Sequence, residues 1–348
     1  MAGATDARVS SIAPGSVFGN GQSVGIGSLP HRDADAAASF SLAEFGVPTV
    51  PALPRRSPAE SLIAQALLGM PGVSEGPYGS IAVDPAHAAD DTAIETDLGG
   101  DAFVGLDAFC ELAGRIGHDG SPVKWQFVGP VTLGVALRRA GLDEDHAFDV
   151  ALRTVRQHLA AMSAALTSAL PASPQMVVLE EPALDQLMDE DFPVPPDEAV
   201  DKISGAMAAL PASSLRGVHS SGAVDLATML ATGPSVISIA VHPRVADWAG
   251  YLARYIDEGG LIAWGVLPDG GPVPMSSGRS WRQLSDLWCE LVRRGCDPVR
   301  LRRQALVTPT IGLGSYSEGV ARRLARITAD VATQVADQAN ATRFALGA

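Results

Sequence analysis

The side chains with chemistry in them gather just past the ends of short apolar runs. The first run is followed by Ser28-Leu29-Pro30-His31-Arg32, the second by Leu53-Pro54-Arg55-Arg56 and the third by Gly129-Pro130-Val131-Thr132. Later runs lead into Glu180-Glu181-Pro182, His219-Ser220-Ser221, His242, Leu267-Pro268-Asp269 and Thr308-Pro309-Thr310. Adjacent carboxylates such as Glu180 and Glu181 repel unless a cation or donor lies nearby, so one of them can hold a proton. His219 offers a general acid or base, because an imidazole ordinarily titrates at about 6.5. Arg32, Arg55 and Arg56 together with His31 add positive charge, and a guanidinium fork matches a carboxylate or phosphate. Two plainer readings stand beside these. Arg55 and Arg56 are solvated or paired with Glu60, and Glu181 bonds a neighbouring helix or arginine while only Glu180 faces a pocket.

Such a set acts together only if the runs are brought to one place. Eight runs read as strands, at 23–28, 47–52, 123–128, 175–179, 216–219, 236–240, 261–265 and 304–308. Met176-Val177-Val178-Leu179 and Val236-Ile237-Ser238-Ile239 are nearly apolar throughout, as in strands of a parallel sheet covered on both faces. Amphipathic stretches at 33–45, 145–170, 197–210 and 280–294 read as helices, with Asp33 and Asp197 as N-caps. The alternation predicts a single α/β domain, a (β/α)8 TIM barrel over 21–348, with residues 1–20 as a flexible N-terminal segment. In that fold the C-terminal ends of the strands form the active-site mouth. Residues 69–120, rich in Gly, Pro and Asp, read as a capping insertion between the second and third strands.

Composition narrows the partners. The 348 residues carry 25 basic and 39 acidic side chains, a net charge of −14, which argues against nucleic acid and against an anionic membrane surface. Hydrophobic residues make up 47%, enough for a large core and against disorder. Lys124 and Lys202 are the only lysines, which we read as coding bias. Three cysteines imply no disulfide framework, and Cys289 and Cys296 read as packing residues on an outer helix. Asp6 and Arg8 interrupt any secretory leader, and no apolar run is long enough to span a bilayer. The expectation is a cytoplasmic protein acting on a small molecule. No dinucleotide fingerprint or P-loop appears. Trp125 and Trp264 read as core, and His87, His118, His146 and His158 as surface or core.

Six short motifs occur in one order: IGSLP (26–30), VGPVT (128–132), LEEPAL (179–184), GVHSS (217–221), ISIA (237–240) and VTPTIGL (307–313). In these the chain resembles the catalytic domain of cobalamin-independent methionine synthase, within the uroporphyrinogen decarboxylase-like superfamily. The likeness runs from about residue 23 to residue 335 and is to the short, single-barrel members. The resemblance implies methyl transfer from a folate to the sulfur of homocysteine, with zinc holding the thiol as thiolate. It places the zinc ligands at His219, Ser221, Ala240 and Ile311, of which only His219 keeps a good donor. Zinc needs three or four Cys, His or carboxylate ligands, so the site reads as degenerate and zinc is not expected. A substitute set would take His242, two residues past Ala240, with one carboxylate from Glu180, Glu181 or Asp269.

The substrate half matches better. Ser28 stands in the IGS segment, Glu180 where the family usually has the Asp that takes the α-amino group, and Glu181 at the family glutamate. At the second strand the family's Gly-Glu is replaced by Leu53-Pro54-Arg55-Arg56. His219 and Glu181 are thus the expected catalytic residues, and Ser28, Glu180, His31, Arg32, Arg55 and Thr132 the expected substrate contacts. The function expected is that of a methionine-synthase-like S-methyltransferase without the zinc, with folate as the implied methyl donor. The alternatives are a zinc-free decarboxylase or lyase acting on a carboxylated substrate, and a non-catalytic ligand-binding barrel.

Overall fold

A computed structural model describes residues 17–76, 80–84, 94–267 and 272–345. Its strands are β1 (Gln22–Ser23), β2 (Val73–Glu75), β3 (Ile81–Val83), β4 (Val123–Val128), β5 (Gln175–Glu180), β6 (Leu215–Ser220), β7 (Val236–Ala240), β8 (Leu261–Gly265) and β9 (Ala305–Thr308). Seven of them form a parallel sheet in the order β1-β9-β8-β7-β6-β5-β4, while β2 and β3 pair as an antiparallel hairpin. The helices are α1 (Ala34–Glu44), α2 (Ala64–Leu67), α3 (Val104–Arg115), α4 (Pro130–Arg139), α5 (Glu144–Ala169) and α6 (Pro196–Met207). They continue with α7 (Leu226–Ala231), α8 (Ala249–Asp257), α9 (Gly278–Arg293), α10 (Pro298–Arg303) and α11 (Glu318–Ala345).

The alternation of side chains explains the unbroken apolar runs. Val177, Leu179, Ile237 and Ile239 join the large core beneath the helices. Their neighbours Met176, Val178 and Val236 point the other way, into a second cluster with Leu215, Leu261, Ala263 and Leu306. Val24 and Val47 complete that inner cluster and Phe18 plugs it. The sheet is therefore curled around its own apolar interior, a TIM-like arrangement.

Residues 47–52 lie between the two sheet edges. On one side Val47 N donates to Ser23 O (2.8 Å) and Ala52 N to Gly27 O (2.7 Å); on the other Val50 N donates to Lys124 O (2.8 Å). Only isolated bridges form here, because Pro48 and Pro51 have no N–H to give a ladder. The bridges Val24 with Val47 and Ser28 with Ala52 also differ by one residue in offset, so the pairing slips along the segment. The expected strands 23–28 and 47–52 are thus extended chain with little regular pairing.

Three sequence expectations are refined. Asp33 caps α1, its Oδ1 accepting from Ala36 N at 2.8 Å. Asp197 is not a cap: α6 starts at Pro196 after Pro195, leaving Asp197 in the first turn, where a carboxylate meets the positive helix end. Within 69–120, α3 packs against α1 and α5 in the outer helix layer. The same stretch carries the β2–β3 hairpin, and Arg56 pairs both with Glu60 (2.5 Å) and with Asp101 of this stretch (2.8 Å). Of the N-terminal segment, residues 17–20 are described and pinned, with Asn20 N donating to Arg303 O at 2.7 Å. Among the described residues no helix is long and apolar enough to cross a membrane.

Candidate active site

Above the apolar interior, the same inward face of the sheet turns polar. Inward residues on three adjacent strands lie side by side, since Glu180 of β5 is in register with His219 of β6, and His219 with Ser238 of β7. His219 Nδ1 and Ser238 Oγ are 2.8 Å apart, which fixes the ring. His219 Nε2 lies 3.7 Å from Glu180 Oε2, and Glu180 Oε1 is buried without a partner. On β4, Lys124 and Gln126 face inward while Trp125 and Phe127 are core. Lys124 Nζ donates to Gly25 O at 3.0 Å and to Gln126 Oε1 at 2.5 Å.

Burial sets the protonation of this cluster. It pushes the Lys124 ammonium down to about 8, opposed by the nearby Glu180 charge. It also holds His219 below the usual imidazole range; Glu180 opposes this and Lys124 reinforces it. His219 is therefore neutral at neutral pH and able to accept a proton. Glu180 Oε2 and His219 Nε2 are too far apart to bond each other, and a donor seated over both would be accepted by each.

Glu181 takes the other course. Its two oxygens accept from Val131 N (2.9 Å) and Thr132 N (2.7 Å) at the start of α4. A Cβ on Gly129 would come within 2.1 Å of Glu181 Oε1, so only glycine allows this approach. Burial pushes Glu181 up to about 7 despite these donors. The carboxylate is committed to the helix and does not join Glu180 and His219. Thr132 belongs to the same knot, its Oγ1 accepting from Ala183 N at 3.2 Å.

The remaining expected contacts are dispersed. His31 is buried against Phe40, ring centroids 5.0 Å apart, beneath α1. Arg32 donates to Arg55 O (2.8 Å) and Arg55 to Ser315 O (2.7 Å), so both guanidinium groups lace loops together. Ser28 is half-buried, and its carbonyl accepts from Leu313 N at 2.8 Å. The loop passes so close that a Cβ on Gly314 would lie 2.2 Å from Ser28 Oγ.

The zinc positions do not form a zinc site. Ser221, Ala240 and His242 border a groove of about 750 Å³. His242 is exposed, with Nδ1 accepting from Arg244 N at 3.2 Å. Ile311 is half-buried alkyl, and Asp269 and His87 lie outside the described residues. Among the described residues no three His, Cys, Asp or Glu side chains come together as metal ligands would. With His219 Nδ1 held by Ser238 and no thiolate beside it among the described residues, the donor set described does not fit zinc.

Lys124, Gln126 and Ser238 are the residues that the sequence reading missed. The signal was present: Lys124 and Gln126 are spaced by two within an apolar strand, in a chain with two lysines. Trp125 and Trp264 are fully buried, as expected; Cys296 is buried but Cys289 is exposed.

No known protein-family pattern matches the chain, and no curated sequence matches it. Solved structures do. A methyltransferase from Methanosarcina mazei superposes with a TM-score of 0.53 at 16% identity, over 86% of this chain and 83% of that one. A Listeria monocytogenes protein assigned as a vitamin-B12-independent methionine synthase gives 0.55 at 14% identity, over 87% and 85%. The fold is theirs. At these identities it is the fold that is shared, and the chemistry must be argued from this chain's own residues.

Proposed function

We propose that this protein is a methyltransferase of the methionine-synthase type that works without the zinc, on a closed (β/α)8 barrel with residues 47–52 as its second strand. The acceptor is a thiol-bearing amino acid such as homocysteine. The observation that carries this reading is the Glu180–His219–Ser238 row, with a buried carboxylate oxygen left open beside a neutral imidazole. Glu180 takes the substrate ammonium, which satisfies an acceptor that is otherwise costly to bury. His219 Nε2 receives the thiol proton, the sulfur forms its bond to the donor methyl, and the bond from that methyl to the donor nitrogen breaks. The proton then passes to the departing nitrogen. A folate donor follows from the resemblance alone.

The decarboxylase or lyase alternative uses the arginines at the mouth, with Glu180 and Glu181, to hold a carboxylated substrate. Arg32 and Arg55 each donate to a backbone carbonyl, which ties them to the loops and favours the thiol reading over that alternative.

Calorimetric titration of metal-stripped protein with homocysteine tests the proposal. Binding is expected, and Glu180→Ala should weaken it by about a hundredfold, the cost of deleting one partner of a buried charge pair. Unchanged affinity in that variant, or one zinc per chain needed for binding, would defeat it.

A further inference from the structure

Gln126 is held in one orientation by two donors. Its Oε1 accepts from Gly27 N at 2.9 Å and from Lys124 Nζ at 2.5 Å. An amide turned the other way would set its NH2 against two hydrogen-bond donors, so the flip is excluded. The side chain also lies flat on strand-one backbone, because a Cβ on Gly27 would fall 3.0 Å from Gln126 Cδ and Nε2. Nε2 is left with two hydrogens and no partner among the described residues. It borders a small cavity of about 120 Å³, lined also by Ser28, Ala52 and Phe103.

A buried ammonium bonded to an amide oxygen polarises the whole amide and strengthens its NH2 as a donor. The cavity therefore combines a strengthened donor at one wall and the Ser28 hydroxyl at another, with apolar side chains, Gln65 and Glu60 between them, the Glu60 carboxylate being held by Arg56 and Leu53 N. Glu180 lies outside this cavity and offers the opposite polarity on the adjacent strand, two positions past Val178, the register partner of Gln126. A ligand spanning the two would place a cationic end on Glu180 and an oxygen-acceptor end on Gln126.

We propose that Gln126 is a substrate-recognition residue whose amide NH2 binds a carboxylate oxygen of the ligand in the cavity beside Ser28, with Lys124 as the positioning residue that locks the amide. The inference rests on the mouth being the substrate site, and it adds which end of the ligand sits on β4. It also gives the buried lysine a task that does not involve touching the substrate.

The test follows the Gln126 side-chain proton–nitrogen signal, assigned by its loss in Gln126→Met, while acetate, homocysteine, aminopropanethiol (homocysteine without its carboxylate) or sodium chloride is added. Acetate and homocysteine should move the signal; aminopropanethiol and matched chloride should not. Gln126→Glu should weaken homocysteine by about tenfold or more, the scale of one charge-assisted hydrogen bond, and spare aminopropanethiol. Gln126→Met, which keeps the volume, should lose the same preference if the Glu variant fails to fold. In Lys124→Met the Gln126 signal should persist but lose its response to acetate, which a merely structural lysine would not produce. If no carboxylate moves the signal, or homocysteine binds without moving it, the inference is overturned. If acetate moves it and homocysteine does not bind, Gln126 keeps its role and the thiol-acceptor reading falls.

Discussion

The inner face of the curled sheet has two halves with opposite chemistry. The lower half is Val24, Val47, Met176, Val178, Leu215, Val236, Leu261, Ala263 and Leu306, closed by Phe18. The upper half carries Glu180, His219 and Ser238, each two or four residues past a lower-half side chain on its own strand, and Lys124 and Gln126 on β4, a strand that adds nothing to the lower cluster. The same backbone and the same alternation serve both. What differs is that each polar group above has a partner or an open cavity, whereas nothing below could satisfy one. The lower half holds the strands in place, and the upper half uses that rigidity to keep a lysine, a carboxylate and an imidazole close together.

Moving a charge from one half to the other breaks the comparison most severely. Met176→Lys sets a second, unpaired ammonium in the lower half, opposite Lys124 on the neighbouring strand, and should cost about 4 kcal/mol or more in urea unfolding. A variant that melts like the parent would mean that the lower half is wet. The cost contrasts with Lys124 itself, equally buried and tolerated because Gly25 O and Gln126 Oε1 receive it.

A second test uses pH. The folded protein holds the Glu181 proton up to about 7, against about 4.5 for the unfolded chain. Between those values the native state binds more protons than the unfolded one, so this group's contribution is full below about 4.5 and is lost as pH rises to about 7. The swing is on the order of 3 kcal/mol. Unfolding free energies of the parent and Glu181→Gln, measured across this range, should differ in slope, with the variant flatter. Parallel curves would show that the α4 amide donors outweigh burial and keep the carboxylate charged.

The mildest test compares two inward positions on β7. Ser238→Ala removes one hydrogen bond to His219 and should cost about 1 kcal/mol. Val236→Ala, one inward step below, should cost about 2 kcal/mol through lost burial and a cavity. Equal costs in chemical denaturation would erase the distinction between a layer that packs and a layer that positions.

Much of this was readable in the sequence for a simple reason. A strand covered on both faces must be apolar at every position, and departures from that rule stand out, as Glu180 and His219 do at strand ends. The same parity separates Glu180 from Glu181: if one faces inward, its neighbour faces the helices. Lys124 and Gln126 obey it too, but an interior lysine reads as an exception until its partners are seen. Loop residues carry no period, so nothing in the order of residues showed that His31 turns beneath α1 or that Arg32 and Arg55 bond to carbonyls. Pro48 and Pro51 likewise hid how thin the pairing of residues 47–52 is.

That thin segment gives the bond from Lys124 to Gly25 O a wider meaning. Lys124 sits on β4 and Gly25 on the chain leaving β1, with residues 47–52 between them. The ammonium thus acts as a strut across the weakest seam of the wall. Losing its proton, or its side chain, would loosen the seam and disturb the recognition amide at the same moment, so mechanical integrity and ligand selectivity in this molecule share a single atom.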